Sequence, residues 1–197
     1  MTKLVRRILV TNDDGINAPG LKAAIKIANE LSDDVWVFAP MEEKSGASHS
    51  LSLTQPLRLK KKGVQKYAVT GTPTDCVMFA TRHMLRDDPP ELVLSGVNFG
   101  QNIAEDVSYS GTVAGAKEGT VFGIPSVALS QAISLDSRHK IRFEVGVKYG
   151  SAIIRKLLKL DWPQDTLMNI NFPDIEPDAR CKVCLLYTSD AADDQAC

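Results

Sequence analysis

Apolar positions along this chain switch repeatedly between a short β-type run and a helical stripe. The β-branched run Arg7–Thr11 (RILVT) ends in polar and glycine residues, which predicts a buried strand of a parallel sheet. Pro19 fits a first helical turn, and Leu21, Ala24, Ile25, Ala28 and Leu31 then recur as one apolar stripe. The run VWVFA at 35–39, closed by Pro40, completes a βαβ unit. Further along, ELVLS at 91–95, a small-residue helix over 111–121 and a strand over 125–130 repeat the pattern. An amphipathic helix over 142–160 carries Phe143, Val147, Ile153, Ile154, Leu157 and Leu158 on one side, and 167–172 reads as a last strand. The alternation predicts a doubly wound α/β domain.

The stretch between the second strand and residue 70 departs from this rhythm. Residues 51–54 and 57–60 alternate around Gln55-Pro56 and read as half-exposed antiparallel segments, a lobe beside the main sheet. A short run at 67–70 leads into Gly71-Thr72-Pro73-Thr74-Asp75. There Thr72 and Asp75 have capping-box spacing and Pro73 takes the first helical position. That helix is expected to run to about Arg86, where Asp87-Asp88-Pro89-Pro90 stops it.

Composition narrows the class. A chain of 197 residues, 44% hydrophobic, has material for one sizeable core. Its 24 acidic and 23 basic side chains nearly cancel, so no global field recruits duplex nucleic acid or an anionic membrane, and anion recognition must be local. The N-terminal apolar stretch is too short for a signal peptide, and no apolar run approaches a membrane span, so a cytoplasmic location is expected. Cys76, Cys181, Cys184 and Cys197 form no disulfide framework, and the lone Cys181-x-x-Cys184 lacks a second ligand pair for zinc. After Arg180 periodicity stops, and the string from Cys184 resembles the translation of a sequencing-library adapter. Residues 1–183 are therefore read as one C-terminally truncated domain and 184–197 as a non-native tail.

Four polar clusters follow strands: Asn12-Asp13-Asp14-Gly15, Ser45-Gly46, Asn98, and Ser110-Gly111-Thr112 at a helix start. In a doubly wound sheet, strand-end loops carry the chemistry and can converge. Adjacent carboxylates with no basic residue in the motif call for a counter-charge, and Asp13, Asp14, Ser45 and Asn98 offer only oxygen, which suits Mg²⁺ or Mn²⁺. Taken alone, an Asp-Asp pair is more simply explained by a turn or helix cap. Ser110-Gly111-Thr112 offers N–H groups, hydroxyls and a helix-dipole end to a phosphate, or Ser110 merely caps the helix. Neither a dinucleotide fingerprint nor a P-loop is present.

Taken in order, ILVTNDDGINAPG (8–20), FAPMEEKSGASHSLSLTQPL (38–57), VTGTPTDCV (69–77), LVLSGVNFGQNIAEDVSYSGTVAGAKEG (92–119) and GIPSVALS (123–130) resemble the SurE family over about residues 5–175. The resemblance implies a Rossmann-like three-layer α/β/α fold with a mostly parallel sheet and a small β-hairpin lobe. It implies metal-dependent hydrolysis of nucleoside 5′- and 3′-monophosphates, often with exopolyphosphatase activity, and a dimer or tetramer. Position by position, Asp13, Asp14, Ser45 and Asn98 match the family's metal ligands for one Mg²⁺ or Mn²⁺ per subunit. One of the two aspartates is also expected to orient the attacking water. Asn102, Ser110, Gly111 and Thr112 match its phosphate-contacting segment. The family's C-terminal arm has no counterpart here, which puts oligomerisation in question.

Rival readings are a haloacid-dehalogenase-like phosphatase, whose Asp-x-Asp spacing Asp13-Asp14 does not provide, and a nucleotide-binding sensor without turnover. Among other residues, His49 is open to a substrate contact or a loop-packing role, while His83 and His139 read as structural or solvated. Lys60-Lys61-Lys62 reads as an exposed turn, Trp36 as core, and Trp162 as a helix-end anchor.

Overall fold

The computed structural model describes residues 3–134 and 143–178. The expected tail at 184–197, Cys181 and His139 lie outside the described residues. Seven strands form one sheet: β1 (Arg7–Thr11), β2 (Asp34–Pro40), β3 (Leu59–Gly63), β4 (Lys66–Val69), β5 (Leu92–Phe99), β6 (Ser126–Gln131) and β7 (Met168–Phe172), in the order β3-β4-β2-β1-β5-β6-β7. Only the β3–β4 pair is antiparallel.

Period-two alternation explains why both faces are covered. Ile8 and Val10 of β1, Val37 and Ala39 of β2, Leu92 and Leu94 of β5, and Val127 and Leu129 of β6 point into one core. That core is closed by α1 (Pro19–Leu31) and α5 (Glu144–Leu157). The intervening Leu9, Phe38 and Val93 point the other way, onto α2 (Pro73–Phe79), which continues as a π-helical turn Ala80–Met84. The short α3 (Asp106–Tyr109) leads into α4 (Gly111–Val121), which Ala128 meets on that same face. A register slip of one residue would turn each strand's buried set to the wrong layer. Truncating a buried residue such as Leu94, fully enclosed, is expected to cost about 2–5 kcal/mol.

The α/β/α architecture matches expectation, and most elements fall within a few residues of their predicted bounds. The stretch after β2 differs in detail. Residues 51–54 form no strand, and the hairpin is β3–β4, joined to the main sheet where β4 pairs with β2 in parallel. Lys60, Lys61 and Lys62 therefore lie on an exposed edge strand rather than in a turn, where charge discourages edge-to-edge pairing. Alternation alone cannot say which partner a half-exposed strand takes. Trp36 is half-buried rather than core, stacked 6.2 Å from Tyr67. The predicted caps are present: Thr72 accepts from the Asp75 N–H while Asp75 accepts from the Thr72 N–H, and Pro73 and Pro19 open their helices. Trp162 lies in the loop after α5, packs half-buried against the core and donates to the Thr166 carbonyl at 2.9 Å.

Candidate phosphohydrolase site

β1 ends at Thr11, and its next residues turn sharply at the carboxyl edge of the sheet. Asn12 Nδ2 donates to the Gly15 carbonyl at 3.1 Å, and Gly15 takes φ +98, a conformation that favours glycine. The turn leaves Asp13 almost fully enclosed, 4% exposed, and Asp14 half-buried.

Three other segments close on this turn. From the loop after β2, the Lys44 N–H donates to the Asp13 carbonyl at 2.8 Å. From the end of β5, the Phe99 backbone N–H reaches the Asp14 carboxylate. From the start of α4, the Thr112 hydroxyl donates to Asp13 Oδ1. Gly111 lies so close that a Cβ there would fall 2.8 Å from the Asp13 Cβ. Any other residue at 111 would push the helix start off the carboxylate. Ser110 caps α4 by accepting from the Val113 N–H at 3.1 Å, so the capping reading holds for its hydroxyl.

The electrostatics of the pair follow from this enclosure. Burial pushes the Asp13 carboxyl up, partly offset by the Thr112 hydroxyl and backbone N–H groups. Burial and then the neighbouring Asp13 charge push Asp14 up to about 7, with Glu43 adding to the effect. No basic side chain among the described residues pairs with Asp13, Asp14 or Glu43.

The remaining expected residues sit on the same edge without touching the carboxylates through a hydrogen bond. Ser45 is exposed and donates to Glu43 Oε1 at 2.8 Å. Asn98 donates from Nδ2 to the Gly100 carbonyl at 2.9 Å, leaving its Oδ1 without a donor among the described residues. Asn102 is buried and committed elsewhere, its side chain donating to Ser130 Oγ at 2.8 Å. The described residues contain no cluster of three or more His, Cys, Asp or Glu side chains suited to a metal, so carboxylates alone do not complete a ligand set.

Residues 8–193 match the family described as Survival protein SurE. The 5′-nucleotidase SurE of Azorhizobium caulinodans is 62% identical over 172 residues, which make up 87% of this chain and 68% of that protein. The chain belongs to the SurE family. The 5′-nucleotidase SurE of Parvibaculum lavamentivorans is 57% identical over 87% of the chain and 62% of its own length. The crystal structure of the SurE protein from Aquifex aeolicus superposes with a TM-score of 0.80 at 42% identity, covering 87% of this chain and 67% of that one. The chain thus spans 62% to 68% of the length of these two curated relatives.

Sequence reasoning missed part of this candidate site in the SurE chain. Asn98 pairs in register with Ser130, and Ser130 with Asn171, so a polar row crosses the ends of β5, β6 and β7. The row holds Asn102 in place: its N–H donates to Asn171 Oδ1 at 2.8 Å, and its carbonyl accepts from Asn169 and Asn171. The signal was available, because Asn169 and Asn171 are polar residues two apart in an otherwise apolar strand and must share a face.

Proposed function

We propose that the chain is a divalent-metal-dependent phosphohydrolase acting on nucleoside 5′-monophosphates, with 3′-monophosphates and polyphosphate as further substrates of the same site. The observation carrying this reading is the pair of enclosed carboxylates, Asp13 and Asp14, raised in pKa and lacking any basic partner among the described residues. Family membership and relatives bearing the name 5′-nucleotidase supply the substrate class.

The donors fit a hard cation: two carboxylates that need a counter-charge, and the Asn98 Oδ1, which no donor among the described residues meets. Asp13, Asp14, Asn98 and Ser45 would hold it, all through oxygen, which favours Mg²⁺ or Mn²⁺ over zinc. Bound there, a divalent cation supplies charge neutralisation at the phosphoryl group and eases deprotonation of the attacking water.

The chain's own groups do the rest. The start of α4 offers the Gly111 N–H and the positive end of a helix dipole to the phosphoryl oxygens, while the Thr112 hydroxyl and N–H hold Asp13 in place. Gly111 lets that helix start stand against Asp13, so phosphate and carboxylates share one small volume. Asp14, whose carboxylate stands beside Asp13 at the end of β1, can orient the water for in-line attack. Asn102, held by Ser130 and Asn171, lies on the same edge as a further phosphate contact.

Phosphate release from AMP by the metal-depleted chain, with and without Mn²⁺, tests the reading. Turnover that requires Mn²⁺ and is lost in Asp14→Asn supports it; nucleotide binding without turnover contradicts it. A dimer or tetramer of the whole protein and a cytoplasmic location belong to this proposal through family membership. Among the described residues no helix is long and apolar enough to cross a membrane.

A further inference from the structure

The segment joining β2 to β3 crosses the helix layer as a strap, residues 41–52, pinned at successive points. At its near end the Lys44 N–H donates to the Asp13 carbonyl at 2.8 Å. In the middle, the Ser48 N–H and hydroxyl donate to the carbonyls of Tyr109 and Ser108, at 3.2 Å and 2.9 Å. His49 Nε2 then lies 2.8 Å from Glu118 Oε2. At the far end Thr72 donates to the Ser50 carbonyl at 2.7 Å, and Ser52 donates to Asp75 through its N–H at 3.0 Å and its hydroxyl at 2.7 Å.

The His49 contact differs from the others in kind. Glu118 is buried in α4, its side chain 9% exposed, and among the described residues His49 is its carboxylate's one hydrogen-bonding partner. A carboxylate only accepts, so the His49 Nε2–H donates. Removing a sole partner from a buried carboxylate is costly, which makes this the strongest hold on the middle of the strap. The same helix grips the other side of the site, where Thr112 donates to Asp13. One rigid element therefore gauges both walls.

We propose that His49 is a positioning residue: its pairing with Glu118 fixes the strap to α4 and so sets the Lys44 N–H against the Asp13 carbonyl. This rests on the phosphohydrolase reading above for its effect on rate, while the hold on the strap stands by itself.

The test compares wild type, His49→Ala, His49→Gln and the double variant His49→Ala/Glu118→Ala. Exchange of individual backbone amides is read by NMR, and steady-state kinetics use AMP with Mn²⁺. In His49→Ala the Lys44 and Ser48 amides exchange about tenfold faster, the scale of one lost hydrogen bond, while the Ser52 amide keeps its rate on Asp75. kcat falls about tenfold with KM for AMP nearly unchanged, because the strap braces the carboxylates and not the phosphate contacts of α4. His49→Gln, whose amide can donate to Glu118, recovers most of both effects. The double variant exchanges at Lys44 and Ser48 no faster than His49→Ala. Wild-type exchange at Lys44 and Ser48 in His49→Ala overturns the proposal, as does acceleration spread equally to Ser52. If wild type itself releases no phosphate, the nucleotidase reading falls, and the exchange pattern alone decides the hold on the strap.

Discussion

Carboxylates gather at both ends of the sheet, and the two ends treat them oppositely. At the amino end, Asp34, Asp88 and Glu91 meet arginines: Arg7 lies against Asp34 and 2.9 Å from Asp88, and Arg6 sits 3.2 Å from Glu91. Burial alone would raise Asp34, yet hydrogen bonding and charge from Arg7, aided by Gln65 and Trp36, pull its pKa below the ordinary value. At the carboxyl end Asp13 and Asp14 are raised, with no basic partner among the described residues and Glu43 nearby. The same residue type is thus a closed ion pair at one edge and an open demand for positive charge at the other. A fold gains nothing from an unpaired buried carboxylate pair, so its presence marks chemistry rather than stability.

The contrast is broken most severely at the carboxyl end. Asp13→Asn and Asp14→Asn are each expected to lower kcat/KM for AMP about 10³-fold or more, measured as phosphate release with Mn²⁺. Gly111→Ala, which puts a methyl group 2.8 Å from the Asp13 Cβ, should cost about a hundredfold through misplacement alone. Both losses should leave far-ultraviolet circular dichroism unchanged.

Acidity sharpens the comparison. Asp14 titrates near 7 when folded and near 3.9 when unfolded, so between those values the folded chain binds more protons. Unfolding free energy then falls with rising pH. Asp14 favours the folded state fully below about pH 4, and that advantage is lost as pH rises through 7. Metal-depleted protein should accordingly gain more thermal stability from Mn²⁺ at pH 8 than at pH 5, by about 5 °C or more in calorimetry. Asp34 runs the other way: its lowered pKa contributes stability above the unfolded value, lost as pH falls through the folded one. Asp34→Asn should cost about 1 kcal/mol in urea unfolding at pH 7 and leave turnover intact. Smallest of all, Glu43→Gln should move the Asp14 midpoint down by about half a unit in carboxyl-observed NMR titration, since Glu43 is a minor contributor to its rise.

Much of this was legible before any coordinates. Short β-branched and apolar runs located β1, β2, β5, β6 and β7, and the Thr72–Asp75 spacing announced the cap of α2. The four strand-end clusters were legible because a doubly wound sheet puts such loops on one edge. Strand order and hairpin placement were not, since alternation at 57–60 fits any edge. Nor was β5's extension to Phe99 visible past the polar Ser95 and Gly96. The tether of His49 to Glu118 spans 69 residues and leaves no local trace. Asn169 and Asn171 left a trace, but their contact with Asn102 depends on which strand lies beside which.

Mn²⁺ titration of the metal-depleted chain, followed by electron paramagnetic resonance beside the Asp13→Asn/Asp14→Asn double variant, tests the central claim most directly. The account predicts one saturable Mn²⁺ site per chain in the wild type and none in the variant. Equal binding by both proteins, or no saturable binding by the wild type, would contradict it.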